Sequence, residues 1–111
     1  MRKLKLISVQ KNENLSVVLE KIHNNNCRTV VVLNKKKIVG VISEGDIIKS
    51  LTYNKSLDIV AEKLMNKSFK FLKTNDLVQA KKIFKNTGIG LIPILKKNME
   101  LKSYITILDI I

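Results

Sequence analysis

An internal repeat constrains the fold of this 111-residue chain most, because two similar halves imply two similar substructures. Residues 15–22 place apolar side chains on one face of a helix, after the candidate N-cap Asn14. Residues 77–84 repeat this pattern after the candidate cap Asp76. Each half is therefore predicted to hold one amphipathic helix at the same point of the repeat.

Two strands follow each predicted helix, and a polar turn joins the strands of each pair. The predicted strands are residues 29–33 and 38–43 in the first half, and residues 91–95 and 101–106 in the second, which gains one residue near 87–90. A short apolar stretch precedes each helix, at residues 6–9 and 69–72. The fold class is therefore α/β (α+β), and each half runs strand, helix, strand, strand and the start of a second helix. The predicted boundaries are 1–55 for the first repeat, 56–68 for a linker and 69–111 for the second repeat.

A hydroxyl residue followed three positions later by aspartate occurs at the same place in both halves. Ser43 and Asp46 follow the last predicted strand of the first half, and Thr106 and Asp109 follow that of the second. One such pair is explained by a capping box, in which the hydroxyl and the acid each accept from a backbone N–H at the start of a helix. Two copies in register are less easily explained as capping alone.

With this motif the chain resembles a tandem pair of CBS domains, also called a Bateman module. Residues 31–47 carry the resemblance best, with an apolar strand, a short turn, a strand that contains Gly40, and Ser-x-x-Asp. The second half supplies the strand proline Pro93 and its own Thr-x-x-Asp, and residues 60–66 resemble the linker of the family. The resemblance implies two β-α-β-β-α repeats that pack through their sheets with pseudo-two-fold symmetry. It also implies clefts that bind nucleotides, usually the adenine nucleotides AMP, ADP or ATP, and self-association into a homodimer.

The family pattern further implies which residues meet the nucleotide. Its aspartate accepts hydrogen bonds from ribose hydroxyls, which suits an acceptor-only carboxylate, and its hydroxyl residue helps a helix N-terminus to hold phosphate. The residues carried over to the helix entrances are Ser43, Glu44, Gly45 and Asp46 in the first half and Thr106 and Asp109 in the second. Those carried over to the base are Cys27, Arg28 and Thr29 in the first half and Gly90 and Leu91 in the second. Lys49 lies one helical turn after Asp46, where it either reaches phosphate or is simply solvated.

The second half departs from the family pattern at its helix entrance. Ile107 and Leu108 stand in place of the polar Glu44 and Gly45, and Ser103 stands where the family prefers glycine. Two apolar residues favour packing over the binding of phosphate, so the first entrance is the better candidate site.

The chain ends two residues after Asp109, within what the repeat predicts to be a helix. We therefore expect a C-terminal catalytic domain outside this sequence, and a module that is regulatory and is not itself an enzyme. Residues 43–47, Leu51, residues 57–58 and residues 64–66 resemble the CBS pairs fused to sugar-phosphate nucleotidyltransferases and sugar-phosphate isomerases. The nucleotidyltransferases carry the pair at their N-terminus.

The formal net charge of +12, from 21 Lys and Arg against 9 Asp and Glu, favours an anionic partner. Only Arg2 and Arg28 are arginine, whereas base-reading sites favour arginine. The lysines are spread along the chain in short groups such as 35–37, 81–82 and 96–97, so most are expected to form a solvated surface. Nucleic acid is therefore not the expected partner. A basic nucleic-acid-binding domain and a dimerisation module without ligand are the alternative functions.

The sequence argues against several other sites and locations. No apolar run reaches the roughly 18 residues of a membrane span, and the single cysteine fits a reducing cytoplasm. One histidine and one cysteine cannot form a zinc site. Residues 40–45 have the glycine spacing of a phosphate-binding P-loop, but Asp46 and Ile47 follow where lysine and Ser or Thr are required. No catalytic residue, metal or cofactor is predicted, apart from the adenine nucleotide as regulatory ligand.

Overall fold

The computed structural model describes residues 3–54 and 58–110, except for the side chain of residue 54. Its strands are β1 (Ser8–Gln10), β2 (Thr29–Asn34), β3 (Lys37–Ser43), β4 (Leu91–Leu95) and β5 (Leu101–Thr106). Its helices are α1 (Leu15–Asn25), α2 (Glu44–Asn54), α3 (Ala61–Leu64) and α4 (Leu77–Thr87), and single 3₁₀ turns span Leu4–Leu6 and Ile107–Asp109. The two predicted amphipathic helices and the four predicted hairpin strands are therefore present, with small shifts at their ends.

Helices α1 and α4 are capped in the same way at both ends. The side chains of Asn14 and Asp76 each accept a hydrogen bond from the backbone N–H three residues later, at 3.3 Å and 3.1 Å. The helices end at Asn26 and Gly88, whose φ angles of 61° and 71° lie in the left-handed region. The predicted caps at Asn14 and Asp76 are confirmed.

The strands form one small sheet in each half. In the first sheet β1 lies parallel to β2, and β2 runs antiparallel to β3 with Thr29 opposite Ser43. In the second sheet β4 and β5 are antiparallel, with Leu91 opposite Thr106. The prediction that the second half gains its extra residue near 87–90 is therefore wrong. Because the strands begin in register, the extra residue lies in the turn between β4 and β5.

The strand predicted at residues 69–72 is reduced to Leu72, which makes a single parallel bridge to β4. In the first sheet, Val31 of β2 donates its backbone N–H to the carbonyl of Ile7 at 2.7 Å. Pro93 occupies the corresponding position of β4, and proline has no N–H to donate. The second sheet therefore lacks one of the hydrogen bonds that fix the preceding segment in the first.

The two sheets share a core of side chains from both halves, and this core confirms the predicted fold class and the packing of the repeats through their sheets. Its buried members are Ile7, Cys27, Val31, Leu33, Ile38, Leu91, Leu95, Leu101 and Tyr104. Fully burying one such aliphatic side chain stabilises a fold by about 1.5–3 kcal/mol. In two further clusters, strand residues pack against helices. One cluster joins the first sheet to α1, α2 and α3, and the other joins the second sheet to α4.

The segment predicted as a linker packs against the first half from residue 59 to residue 66. Helix α3 buries Ala61 and Leu64, and the backbone N–H of Ala61 donates to the carbonyl of Glu13 at 2.7 Å. Asn66 forms an antiparallel bridge with Val41 of β3. The predicted boundary at 55–56 lies outside the described residues, and the predicted final helix is a single 3₁₀ turn up to Asp109.

Within residues 3–54 and 58–110, no helix combines the length and the apolar character that crossing a membrane requires.

Candidate functional site

The Ser43 motif closes on itself at the entrance of α2. Strand β3 ends at Ser43 and α2 begins at the next residue. The Ser43 backbone N–H and hydroxyl both donate to Oδ2 of Asp46, at 2.9 Å and 3.0 Å, and the Asp46 N–H lies 3.3 Å from the Ser43 hydroxyl oxygen. This is a complete capping box, so the motif positions its own carboxylate at the start of an 11-residue helix.

The Thr106 motif has the same hydrogen bonds but begins a shorter element. The Thr106 backbone N–H and hydroxyl donate to Oδ2 of Asp109, at 2.7 Å and 3.2 Å. The turn that follows is a 3₁₀ helix of three residues. Because the positive end of a helix dipole grows from aligned peptide units, the entrance at Ser43 is the better place for an anion.

The segment before β2 lies against the entrance of α2. The N–H of Glu44, the first helical residue, donates to the carbonyl of Arg28 at 3.1 Å. In the second half the N–H of Ile107 donates to the carbonyl of Gly90 at 3.2 Å. The Arg28 side chain also lies 3.7 Å from the Glu44 carboxylate, but both are exposed to solvent, where such a pair contributes little. In each half, therefore, the residue before the second strand is tied to the start of the motif's helix.

A cleft of about 640 Å³ lies between the two repeats. The first repeat lines it with Asn26, Cys27, Arg28, Thr29, Ser43, Glu44 and Gly45. The second repeat lines it with Phe84, Thr87, Gly88, Ile89, Gly90, Ile107 and Leu108. The helix entrance of one repeat therefore faces the end of α4 in the other, and a ligand in this cleft would touch both repeats.

A second cavity of about 390 Å³ contains the other motif. Thr106, Leu108, Asp109 and Tyr104 line it from the second repeat, and Leu6, Ile7 and residues 24–26 line it from the first. The structure thus places Ser43 of the first motif at one composite cavity, and Thr106 and Asp109 of the second motif at the other. Each motif faces the end of the amphipathic helix of the opposite repeat.

Nine of the twelve predicted site residues line one of these two cavities. Those at the 640 Å³ cleft are Ser43, Glu44, Gly45, Cys27, Arg28, Thr29 and Gly90, and those at the 390 Å³ cavity are Thr106 and Asp109. Asp46 and Lys49 are not among the lining residues, and Lys49 is exposed on α2. Leu91, expected beside the base, is instead buried in the core between the sheets, because β4 is apolar on both faces.

Apart from Gly90, the sequence did not predict the parts of each cavity that come from the opposite repeat. These are the residues at the ends of α1 and α4, including Asn26 and Gly88, which end their helices in the left-handed region. The available signal was the repeated helix stop, Asn in one half and Gly in the other. In residues 3–54 and 58–110, no group of three or more His, Cys, Asp and Glu is arranged to hold a metal ion.

Comparison with known proteins agrees with this architecture. Residues 1–53 match the family model of the CBS domain. An uncharacterized 17.7 kDa protein of Acidianus ambivalens is 29% identical over 108 residues, which cover 96% of this chain and 65% of that protein. The chain therefore spans about 65% of the length of this relative.

Solved structures show the same fold. A CBS domain protein of Pyrobaculum aerophilum, complexed with AMP, matches with a TM-score of 0.77 and 24% identity, over 98% of this chain and 89% of that one. The cytosolic domain of the Mg²⁺ channel MgtE, in complex with ATP, matches with a TM-score of 0.72 and 16% identity, over 95% of this chain and 44% of that one. The fold is therefore that of a CBS module, and the predicted resemblance is confirmed at that level.

Proposed function

We propose that this chain is a regulatory module that binds an adenine nucleotide between its two repeats and controls a fused or partner catalytic domain. The observation that carries the proposal is the composite cleft of about 640 Å³, which joins the start of α2 in one repeat to the end of α4 in the other. Its volume lies within the range of roughly 300–1,000 Å³ that is usual for small-molecule sites. A ligand that bridges both repeats stabilises one arrangement of them, which is what a regulatory signal needs.

Each chemical part of a nucleotide has a proposed counterpart here. The phosphates lie at the entrance of α2, beside Ser43, Gly45 and the exposed Arg28, which lines the same cleft. The exposed Lys49 lies one helical turn further along α2 than Asp46. Asp46 does not line the cleft itself, but its Oδ2 accepts hydrogen bonds from Ser43, which does, so its Oδ1 is the proposed acceptor of the ribose hydroxyls. The base lies along the backbone from Cys27 to Thr29 and at Gly90 of the opposite repeat.

The second cavity is proposed as a weaker site. Thr106 and Asp109 offer the same hydroxyl and carboxylate, and residues 24–26 add three asparagines. Leu108 stands where Gly45 stands in the first entrance, and the 3₁₀ turn there has a smaller dipole. We therefore propose that phosphate is held more weakly at Asp109 than at the first site.

The AMP of the Pyrobaculum protein and the ATP of the MgtE domain support an adenine nucleotide as the ligand. We also propose that the module acts in the cytoplasm, as a homodimer, with repeats at residues 1–55 and 69–111. The proposed partner is a sugar-phosphate nucleotidyltransferase domain. This partner rests on sequence resemblance alone, because the proteins compared above give it no support.

Thermal unfolding in the presence of AMP, ADP or ATP tests the proposal, with CTP as a comparison. A nucleotide at tenfold its Kd stabilises the folded state by about 1.4 kcal/mol, which raises the Tm by about 4–6 °C in a domain of this size. The two matched variants are Asp46→Ala and Asp109→Ala, which each remove the acid of a capping box. Both lower the Tm without ligand, so the readout is the increment that the nucleotide adds.

We expect Asp46→Ala to lose most of the nucleotide increment and Asp109→Ala to keep most of it. Equal losses in both variants would contradict the ranking of the two sites. If no nucleotide raises the Tm of the unmodified chain, the proposal fails and the dimerisation module without ligand becomes the better interpretation. The exposed Ile48 and Tyr53 of α2 fit such a dimer.

A further inference from the structure

Seven lysines from distant parts of the sequence meet at the end of the molecule opposite the Ser43 and Thr106 motifs. They are Lys35 and Lys36 in the β2–β3 turn, Lys37 at the start of β3, Lys96 and Lys97 in the β4–β5 turn, and the neighbouring Lys73 and Lys102. All seven are exposed. The sequence indicated lysines spread along a solvated surface, but the fold gathers a third of the 21 basic residues at one end.

Backbone hydrogen bonds hold the two turns together. The N–H of Ile38 donates to the carbonyl of Met99 at 3.0 Å, and the N–H of Leu101 donates to the carbonyl of Lys36 at 3.1 Å. Lys37 and Glu100 form an antiparallel bridge between the two sheets. The lysines therefore stand on one rigid edge made by both repeats, which we call the lysine edge. The lysine edge lies at the opposite end of the first sheet from Ser43. Strand β2 runs about 17 Å from Thr29, which is opposite Ser43, to Asn34, which is next to Lys35.

The lysine edge has little acid to balance it. Glu100 is the one carboxylate among the residues that line its two hollows, of about 430 Å³ and 570 Å³, and it accepts a hydrogen bond from Asn98 at 2.8 Å. Seven like charges held close together repel one another, and a polyanion that displaces their counterions relieves this repulsion. An edge of this kind therefore favours an anion with many charges over a single phosphate.

The residue types at the edge select the kind of polyanion. The lining residues of the two hollows include neither arginine nor an aromatic side chain, so neither bidentate base contacts nor base stacking is available. Insertion into a membrane surface needs a large apolar face beside the charge, and Met99 is the exposed large apolar residue of these turns. Lysine, as a mobile point charge, suits phosphate groups that repeat along a chain.

We propose that the lysine edge binds the phosphate backbone of nucleic acid without reading its bases. The surface is separate from the nucleotide cleft, so the module can hold a nucleotide and a nucleic-acid strand at the same time. The proposal does not depend on the nucleotide site being functional.

The test is fluorescence anisotropy of a labelled 20-base-pair duplex of random sequence, titrated with the full chain at several salt concentrations. The variant Lys36→Gln/Lys96→Gln/Lys97→Gln removes three charges from the edge. The matched control Lys81→Gln/Lys82→Gln/Lys85→Gln removes three exposed lysines from α4, so both variants have the same net charge.

Each phosphate contact contributes about −0.9 to the slope of log K against log salt concentration. We expect the edge variant to bind at least tenfold more weakly at low salt, with a slope shallower by about 2–3, and the α4 variant to stay within twofold of the unmodified chain. Equal weakening in both variants would show that binding depends on the overall charge and not on the lysine edge, which would overturn the proposal. Absence of binding to the duplex, or equal competition by poly-glutamate or by anionic vesicles, would also overturn it.

Discussion

Gly90 approaches Cys27 of the opposite repeat so closely that a β-carbon on Gly90 would overlap the Cys27 carbonyl oxygen. Both residues line the composite cleft, and each lies just before a buried strand of its own half. The contact is between two backbones, so no change of side-chain rotamer relieves an added atom. The backbones of the two repeats are therefore in close contact at the proposed nucleotide site.

Gly90→Ala is expected to destabilise the fold by about 1–3 kcal/mol, the usual cost of adding a methyl group where the structure has no room. Either the segment before β4 or the one before β2 must shift to accept it. The measurement is the free energy of unfolding from urea denaturation followed by circular dichroism.

Gly45→Ala is the matched control, because Gly45 lines the same cleft. A β-carbon there meets nothing nearer than the Ser43 hydroxyl oxygen, at 3.7 Å. Since Gly45 lies in the first turn of α2 and alanine favours helix over glycine by up to about 1 kcal/mol, stability should be unchanged or higher. If Gly90→Ala were as stable as Gly45→Ala, the close contact between the repeats would be disproved.

Gly40 of β3 and Met65, just after α3, form a second close contact. A β-carbon on Gly40 would lie 2.7 Å from both Cγ and Sδ of Met65. We expect Gly40→Ala to cost about 1–3 kcal/mol in the unmodified chain. In a Met65→Gly background all three obstructing atoms are absent, including Cβ of Met65 at 2.8 Å, so the same change should cost at least about 1 kcal/mol less.

A double-mutant cycle of these two positions measures the difference. Additive effects would mean that Met65 does not lie over Gly40. They would contradict the packing of this side chain on the first sheet. Strong coupling would support the finding that the predicted linker packs on β3.

The side-chain caps of α1 and α4 should contribute equally, since they occupy corresponding positions. Asn14→Ala and Asp76→Ala each remove the acceptor of one helix N–H and are expected to cost about 1 kcal/mol. Asn12→Ala and Asn75→Ala change exposed neighbours that accept no capping hydrogen bond and serve as controls. A cap variant as stable as its control would contradict the capping role of that residue.

Local patterns were sufficient to predict most of the elements. The caps, the amphipathic faces of α1 and α4 and the four hairpin strands depend on neighbouring residues, and periodicity and turn chemistry report on those directly. The prediction of a strand before α4 was wrong because the pairing of that segment depends on Pro93, which is distant in sequence. The N–H that proline lacks matters only once the two segments lie side by side.

The sequence predicted mainly one wall of each cavity, because the other wall depends on residues that are distant in sequence. The Ser43 and Thr106 motifs are local and were found, but the opposite wall of each cavity comes from the other repeat. The repeated helix stop marks where α1 and α4 end, but which motif each helix end faces depends on how the sheets pack, and the sequence does not report that. The position of Leu91 in the repeat gives its register in β4, but not that its side chain is buried between the sheets.

The core between the sheets predicts that the two repeats unfold together. Val31 and Leu91, from different repeats, are both fully or almost fully buried in it. Either Val31→Ala or Leu91→Ala should lower the stability of the whole chain, Leu91→Ala by about 2–5 kcal/mol. Tyr53→Phe leaves Tyr104 of β5, which is buried, as the fluorescent reporter of the second repeat. In this background, fluorescence and circular dichroism should give coincident urea transitions. Val31→Ala in the first repeat should shift the Tyr104 signal by the same amount as the circular dichroism. Separate transitions would mean that each repeat is stable alone, and would remove the physical basis for a ligand in the shared cleft to act on both.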